Sequence, residues 1–169
     1  MYVLMFASSL YTGYSYGVAP MLSFYYGEQN QEKLKKLVMV SLRVIGVISV
    51  VTVVLSLGMT RPLVSVFARP DNPVYDLAVT GNRICTIALL FIGFNIFASG
   101  MFTALSNGLI SAVLAFSRSF VFMLVTMIVL PVFLGVNGIW LATPAAELMA
   151  LALSVFMFLK YRKRYGYCG

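Results

Sequence analysis

Glu147 is the residue whose position in the sequence most strongly indicates chemistry. No charged residue occurs within residues 119–146 or 148–159, so its carboxyl group interrupts a long apolar run. A carboxylate at that depth in an apolar helix is costly and should face the protein interior or a wet cavity. It could bind a proton or a cation, or contact a cationic ligand. Alternatively, it could form a structural pair with an arginine or with backbone donors, and the sequence leaves both interpretations open.

Asn95, Arg43 and Arg118 are further polar residues in or beside apolar runs. Membrane asparagines usually hydrogen-bond across helices, and this is the favoured interpretation of Asn95, with ligand contact as the alternative. Long basic side chains near the ends of membrane helices reach back to the surface. This snorkelling is favoured for Arg43, whereas Arg118, which precedes a long apolar run, is also a candidate to line a cavity or gate.

The residues on which most enzymes depend are missing. The sequence has no histidine, and its two cysteines, Cys85 and Cys168, are far apart and form no CxxC motif. A phosphate-binding glycine loop and a nucleophile elbow are absent as well. We therefore predict no catalytic residue, no metal site and no cofactor, and we do not expect an enzyme.

The elements that position Glu147 are predicted to be membrane helices. Hydrophobic residues make up 61% of the 169 residues and charged residues 10%, whereas soluble domains carry about 25% charged residues. Such a chain cannot cover a water-facing surface, which argues against a soluble enzyme, a disordered chain and a nucleic-acid-binding domain. The expected fold is an all-α integral membrane bundle, a single domain over residues 1–169 with no soluble domain. Each span needs about 20 apolar residues, and we predict five spans, at about 3–26, 38–60, 80–105, 112–134 and 138–159.

Basic residues alternate between the connections, which predicts the orientation of the spans. Eight of them fall on one side, and two fall on the other, or three if Arg83 is counted there. Because cytoplasmic loops collect Lys and Arg, the C-terminus is predicted to be cytoplasmic and the N-terminus of this chain to lie outside. The longest polar connection, 61–79, contains a turn-rich segment at 69–73. The eight residues are Lys33, Lys35, Lys36, Arg118, Lys160, Arg162, Lys163 and Arg164.

Small residues and prolines recur inside the predicted spans. Small residues at four-residue spacing let helices approach closely, so packing inside a bundle is their favoured interpretation. Prolines can kink a helix, and broken helices often line cavities in transporters, although proline is also merely tolerated there. Together with Tyr25 at a predicted interface, Pro20 and Pro144 are weaker candidates for cavity or gate residues. The stripes are Ser9, Gly13 and Gly17 in the first span and Gly100, Ala104 and Gly108 in the third, and the prolines are Pro20, Pro131 and Pro144.

Three segments resemble the multidrug and toxic compound extrusion (MATE) family. Residues 17–30, with the sequence GVAPMLSFYYGEQN, are similar to the segment that closes the second helix of each lobe in that family. Residues 95–118 resemble the family's tenth and eleventh helices. Residues 130–147, with LP, GVNG, IW, a proline and a glutamate in order, resemble the start of the twelfth. The resemblance covers nearly the whole chain and is closest to the drug-exporting bacterial branch.

The resemblance implies that these spans are helices eight to twelve of a twelve-helix protein with two six-helix lobes. Such a protein sits in the cell (inner) membrane and exports cationic amphipathic compounds in exchange for H⁺ or Na⁺. The implied partners are the lipid bilayer, the missing N-terminal lobe helices and cationic small molecules. Two departures stand out: Ala19 replaces the glutamine that usually precedes the proline, and the family's first-lobe acidic site has no counterpart. Glu147 is then the only plausible acid within the membrane.

Two other functions stay open. A flippase for lipid-linked saccharides has a related fold but often lines its cavity with several basic residues, and only Arg43, Arg83 and Arg118 are available here. The other is a non-transporting, truncated membrane protein. The abrupt opening of the sequence into an apolar run suggests a piece of a longer protein that is not competent alone.

Overall fold

Helices make up almost all of the chain in the computed structural model, which describes residues 2–66 and 74–167. No strand occurs within those two ranges, so the expectation of an all-α fold is confirmed. The predicted turn-rich segment at 69–73 and Cys168 lie outside the described residues. The helices are α1 (Tyr2–Gly27), α2 (Gln31–Gly58), α3 (Thr60–Ser65), α4 (Val74–Thr86), α5 (Leu89–Ala104), α6 (Gly108–Phe116), a π-helical segment (Ser117–Phe122), α7 (Met123–Leu134) and α8 (Val136–Tyr165).

Three helical runs within the described ranges are long and apolar enough to cross a membrane, or four if a bent pair counts as one span. They are α2, the continuous run from Gly108 to Leu134, and α8, and the bent pair is α4 with α5. The difference from the five predicted spans concerns α1. That helix has 26 residues and no charge, which is the length of a span, but its many Tyr, Ser and Gly residues make it less apolar.

The predicted span at 80–105 is not one straight helix. Helices α4 and α5 meet at a break beside Ile87 and bend by 45°. At the end of α4, the Thr86 hydroxyl donates to the Asn82 carbonyl oxygen at 2.7 Å, a contact that commonly bends helices. No proline or glycine occurs at the break. The sequence therefore carries no ordinary signal for it.

Helix α5 lies at the centre of the bundle and packs against α1, α2, α6 and α8. Its Leu89, Phe97, Met101 and Phe102 side chains are almost fully buried. Large apolar side chains are exposed on α2 and α7 instead, including Phe133. Because lipid tails are as apolar as these side chains, such faces are suited to the bilayer.

Helices α1 and α5 run parallel and in close contact. A side chain at Gly93 would overlap the Tyr11 ring, and the Ser23 hydroxyl donates to the Ala104 carbonyl oxygen at 3.0 Å. The order of these contacts is the same along both helices. Close approach at a small residue is how membrane helices commonly pack.

Two turns at one end of the bundle are built in the same way. Gln29 and Ser106 both have φ of 58°, and the asparagine that follows each accepts a hydrogen bond from a backbone amide of the next helix. Asparagine is a preferred residue at helix starts. The Nδ2 of Asn107 also donates to the Tyr165 hydroxyl at 2.7 Å. The end of α8 therefore lies at the same end of the bundle as these turns.

The hairpin from α7 to α8 depends on two glycines. Gly135 has φ of 56° and ψ of −136°, a backbone conformation open almost only to glycine. Gly138 is buried, and a Cβ there would overlap the carbonyl group of Leu130. These glycines belong to the segment that carries the family resemblance.

Candidate functional site

An ion pair joins the π-helical segment to α8. The Nε of Arg118, in the π-helical segment, donates to both carboxylate oxygens of Glu147 in α8, at 2.9 and 3.0 Å. The Arg118 side chain is 22% exposed and the Glu147 side chain 10%. Arg118 therefore turns inward toward the carboxylate. The sequence had left snorkelling open for this residue, and the structure shows an ion pair instead.

Asn95 binds the same carboxylate from α5. Its Nδ2 donates to Glu147 Oε2 at 2.8 Å and to the Glu147 carbonyl oxygen at 2.9 Å. The Ser154 hydroxyl, two turns farther along α8, donates to Asn95 Oδ1 at 3.1 Å. All three residues are buried. Asn95 thus bonds across helices, and it also orients the carboxylate toward Arg118.

Pro144 lies one turn before Glu147 and is buried in α8, which packs against α4. Its missing N–H leaves the Trp140 carbonyl oxygen without its helical donor. The Sγ of Cys85 lies 3.5 Å from that oxygen and donates to it. Freed backbone groups in membrane helices need such partners. Pro144 is therefore placed in α8 near the ion pair, with its cost offset by a side chain of α4.

A polar cleft opens beside the ion pair, between α1 and the run from α6 to α7. It comprises adjoining cavities of about 230 and 370 Å³, and Ser8, Arg118 and Ser119 line both. Glu147 lines the smaller one and Asn95 the larger. Hydroxyl groups dominate the polar lining, which explains why α1 is less apolar than the other long helices. The hydroxyl-bearing residues are Ser8, Thr12, Ser15, Tyr16, Ser99, Thr103, Ser111, Ser119 and Thr143.

The π-helical segment is the local structure that sequence reasoning missed. Such segments are rare and occur frequently at functional sites. Here the segment holds Arg118 at its second residue, beside the cleft and facing Glu147. Nothing in residues 117–122, SRSFVF, signals it. The hydroxyls of the cleft did leave a signal, because Ser8, Thr12 and Ser15 recur at the spacing of one helix face.

Tyr25 and Pro20 are not brought to the ion pair. They lie 17 and 12 residues beyond Ser8 along α1, which corresponds to about 25 and 18 Å. Tyr25 is half-buried, and the Lys33 ammonium group lies 5.7 Å from its ring centre. Pro20 is exposed. Their assignment as gate residues stays a prediction.

The two small-residue stripes have different surroundings. Gly100 lies against α1, because a Cβ there would overlap the Ser15 hydroxyl, and Ala104 is buried. Gly13 and Gly17 are exposed, and a Cβ on either would meet no atom within 4 Å. The stripe on α1 therefore packs against no helix among the described residues.

No described group of three or more His, Cys, Asp or Glu residues has a geometry that could hold a metal ion. The site itself combines a buried carboxylate, a guanidinium and an amide beside a polar cleft. A carboxylate there can exchange a proton or a cation, and the guanidinium can compete with either for it.

Comparisons with known proteins agree on one family. The MatE family model matches residues 1–129. The inward-facing conformation of a multidrug resistance MATE family transporter of the MOP superfamily matches with a TM-score of 0.83 at 18% identity, over 96% of this chain and 37% of that one. A crystal structure of MATE in complex with MaL6 matches with a TM-score of 0.84 at 18% identity, over 96% of this chain and 36% of that one. A search of curated proteins gave no match.

The matches differ in how much of each protein they cover. It spans slightly more than a third of the length of either solved transporter that it matches. The family model covers more than three quarters of its residues, and the segments at 17–30 and 95–118 that carried the resemblance lie within that match. The structural match extends over nearly the whole chain. From this agreement of sequence motifs, helical fold and family model, the chain belongs to the MatE family.

Proposed function

We propose that this chain forms helices eight to twelve, most of the second lobe, of a secondary active transporter. In this proposal the complete protein exports cationic amphipathic compounds in exchange for a coupling ion. The observation that carries the proposal is the Arg118–Glu147 ion pair, which is held by Asn95 and borders a polar cleft. Ionisable groups inside a membrane domain are functional-site candidates because their burial is costly.

The proposed mechanism is competition for one carboxylate. When Glu147 is ionised, Arg118 neutralises it and ties the π-helical segment to α8. When Glu147 is protonated, the attraction is lost, and the guanidinium, already 22% exposed, turns into the cleft as a free positive charge. A cation in the cleft is then repelled. Protonation and cation binding thus favour different states, which is the requirement for exchange.

The geometry favours H⁺ over Na⁺ as the coupling ion. A proton needs only a carboxylate oxygen, whereas Na⁺ would need several oxygen ligands in the space that the Arg118 guanidinium occupies. The described residues that line the cleft contain no acid besides Glu147. Na⁺ is the second candidate.

Helices from the rest of the protein, or from a partner chain, complete the pathway in this proposal. The exposed Gly13 and Gly17 stripe supports it, because small residues on a membrane helix are suited to close contact with another helix. The bilayer is the cell (inner) membrane, with the C-terminus in the cytoplasm. The four basic residues Lys160, Arg162, Lys163 and Arg164 at the end of α8 support that orientation.

The test uses everted membrane vesicles that contain the full-length product of the gene. A preformed pH gradient is monitored while ethidium is added, with and without Na⁺. We expect ethidium to dissipate the gradient in the wild type and not in Glu147→Gln. Glu32→Gln is the matched control, because Glu32 is an exposed acid in the first turn of α2, and it should behave as the wild type.

A double variant separates coupling from a structural role. Arg118→Gln with Glu147→Gln leaves no unpaired charge, so a purely structural ion pair would be replaced and exchange would recover. If Glu147 carries the proton, the double variant folds but does not exchange. Exchange by Glu147→Gln alone would refute the assignment of Glu147, and exchange that requires Na⁺ at constant pH would replace H⁺ by Na⁺.

A further inference from the structure

A second and larger cavity lies away from the cleft, on the face formed by α2, α5 and α8. It is an open groove of about 670 Å³ with an almost wholly apolar lining. Ser154 lines it and at the same time donates to Asn95, so the groove lies behind the residues that hold Glu147. Its other lining residues include Leu42, Gly46, Phe94 and Phe158.

One end of this groove carries a single charged residue, Arg162. Its side chain is exposed. Within the ranges 2–66 and 74–167 it has neither an ion pair nor a side-chain hydrogen bond. Lys160, Lys163 and Arg164 lie within the same two turns of α8, so the field at this end of the groove is positive. An apolar groove that ends at a free guanidinium is complementary to an apolar chain that ends in an anion.

The length of the groove agrees with such a ligand. Along α8 it runs from Leu151 to Arg162, which is 11 residues or about 16 Å. One leaflet contributes about half of a hydrocarbon core that is about 30 Å thick, or about 15 Å. If the groove is aligned with the acyl chains of one leaflet, Arg162 is therefore level with the lipid phosphate groups.

We propose that this groove binds an anionic phospholipid, with one acyl chain between α2, α5 and α8 and the phosphate on Arg162. The guanidinium supplies paired donors for phosphate oxygens. Another helix is a poorer occupant, because it would cover Arg162 with apolar surface and leave its charge unpaired. The lipid would brace α5 and α8, the two helices that carry Asn95 and Glu147, from the side opposite the cleft.

The test measures lipid binding to the purified full-length protein by native mass spectrometry in detergent. Phosphatidylglycerol and phosphatidylcholine with the same acyl chains are compared as probes. We expect one phosphatidylglycerol to bind several times more tightly than phosphatidylcholine. Arg162→Gln should weaken phosphatidylglycerol binding about tenfold or more, because it removes charge-assisted hydrogen bonds to the phosphate. Lys163→Gln, which removes the same charge one residue away but does not line the groove, should weaken it by no more than about fivefold, the effect of one basic residue near an anionic surface.

A second variant tests the groove itself. Gly46 lines the groove, and a Cβ there would lie 3.7 Å from the Phe94 ring, an ordinary contact, so Gly46→Leu adds an apolar side chain to the groove lining. It should remove the bound phosphatidylglycerol and phosphatidylcholine alike. Circular dichroism verifies that each variant keeps its helix content.

Four results would overturn the proposal. Equal losses in Arg162→Gln and Lys163→Gln would mean diffuse attraction to the surface rather than a site. Unchanged binding in Gly46→Leu would mean that lipid does not occupy the groove. A wild-type protein with no preference for phosphatidylglycerol would mean that the headgroup is not recognised. Release of the whole lipid by millimolar inorganic phosphate would mean that the groove does not hold the acyl chain.

Discussion

The ion pair between Arg118 and Glu147 should cost different amounts of stability depending on which partner is removed. Glu147 is 8% exposed as a residue, and without Arg118 its carboxylate would keep Asn95 as its one side-chain donor among the described residues. Arg118 borders the polar cleft and is 22% exposed, so without Glu147 it can still be hydrated. Removal of the arginine should therefore be the more damaging change.

The magnitudes follow from burial. Breaking a buried ion pair costs about 3 to 5 kcal/mol when it leaves a charge uncompensated, and we expect about 3 kcal/mol for Arg118→Met. A lost hydrogen bond to a charged group costs about 1.5 to 3 kcal/mol. Because water can replace it in the cleft, and because glutamine still accepts from Asn95, we expect about 1 kcal/mol for Glu147→Gln. The double variant leaves no charge at the site and should cost about 2 kcal/mol, which gives a coupling energy of about 2 kcal/mol in magnitude.

The free energy of unfolding of the four proteins is measured by denaturant titration in mixed micelles, with helix content as the signal. Glu32→Gln, at an exposed acid outside the site, should leave it unchanged. The reasoning is refuted if Glu147→Gln costs as much as Arg118→Met. It is also refuted if the two single costs add in the double variant to within about 0.5 kcal/mol.

Three further predictions concern the packing and the orientation of the bundle. Gly138→Ala should lower the free energy of unfolding by about 1 to 3 kcal/mol, the usual cost of overpacking, because its methyl group meets the rigid carbonyl group of Leu130. Gly46→Ala, which has room for a methyl group, should change the free energy of unfolding by less than about 1 kcal/mol. Equal costs in the two variants would contradict this account. Tyr11→Phe should lower the free energy of unfolding by about 1 to 2 kcal/mol, since the buried Tyr11 hydroxyl forms hydrogen bonds with α2. Tyr14→Phe is the control, because the Tyr14 hydroxyl has no hydrogen bond within the described ranges, and it should lower the free energy of unfolding by less in the same titration. A fluorescent protein fused to the C-terminus should fluoresce and a phosphatase fused there should be inactive, while the reverse result would invert the proposed orientation.

The break between α4 and α5 and the π-helical segment show where prediction from the sequence ended. The uncharged apolar run that begins at residue 84 predicts most of the helix at 80–105, but no proline or glycine marks the break beside Ile87. The π-helical segment is equally silent, because one extra residue per turn changes no periodicity that six residues could reveal. The hairpin at Gly135 and Gly138 is the opposite case. There the backbone needs glycine, so the residue types themselves mark the turn.

The membrane class, the helical fold and the family were determined by the sequence itself. They follow from properties that each residue carries alone or with near neighbours: an apolar composition that water cannot cover, and motifs with specific spacing. The importance of Glu147 was also evident, because a lone carboxylate in an apolar run is costly wherever the run lies.

Only the tertiary structure decided what Glu147 contacts. Asn95, Arg118 and Glu147 are 23 and 29 residues apart in order along the chain, and their distances depend on how α5, the π-helical segment and α8 pack. The direction in which each side chain points is set by that packing, so a snorkelling arginine and an ion-paired arginine have the same sequence. The groove that ends at Arg162 likewise exists only because three helices that are distant in sequence lie side by side.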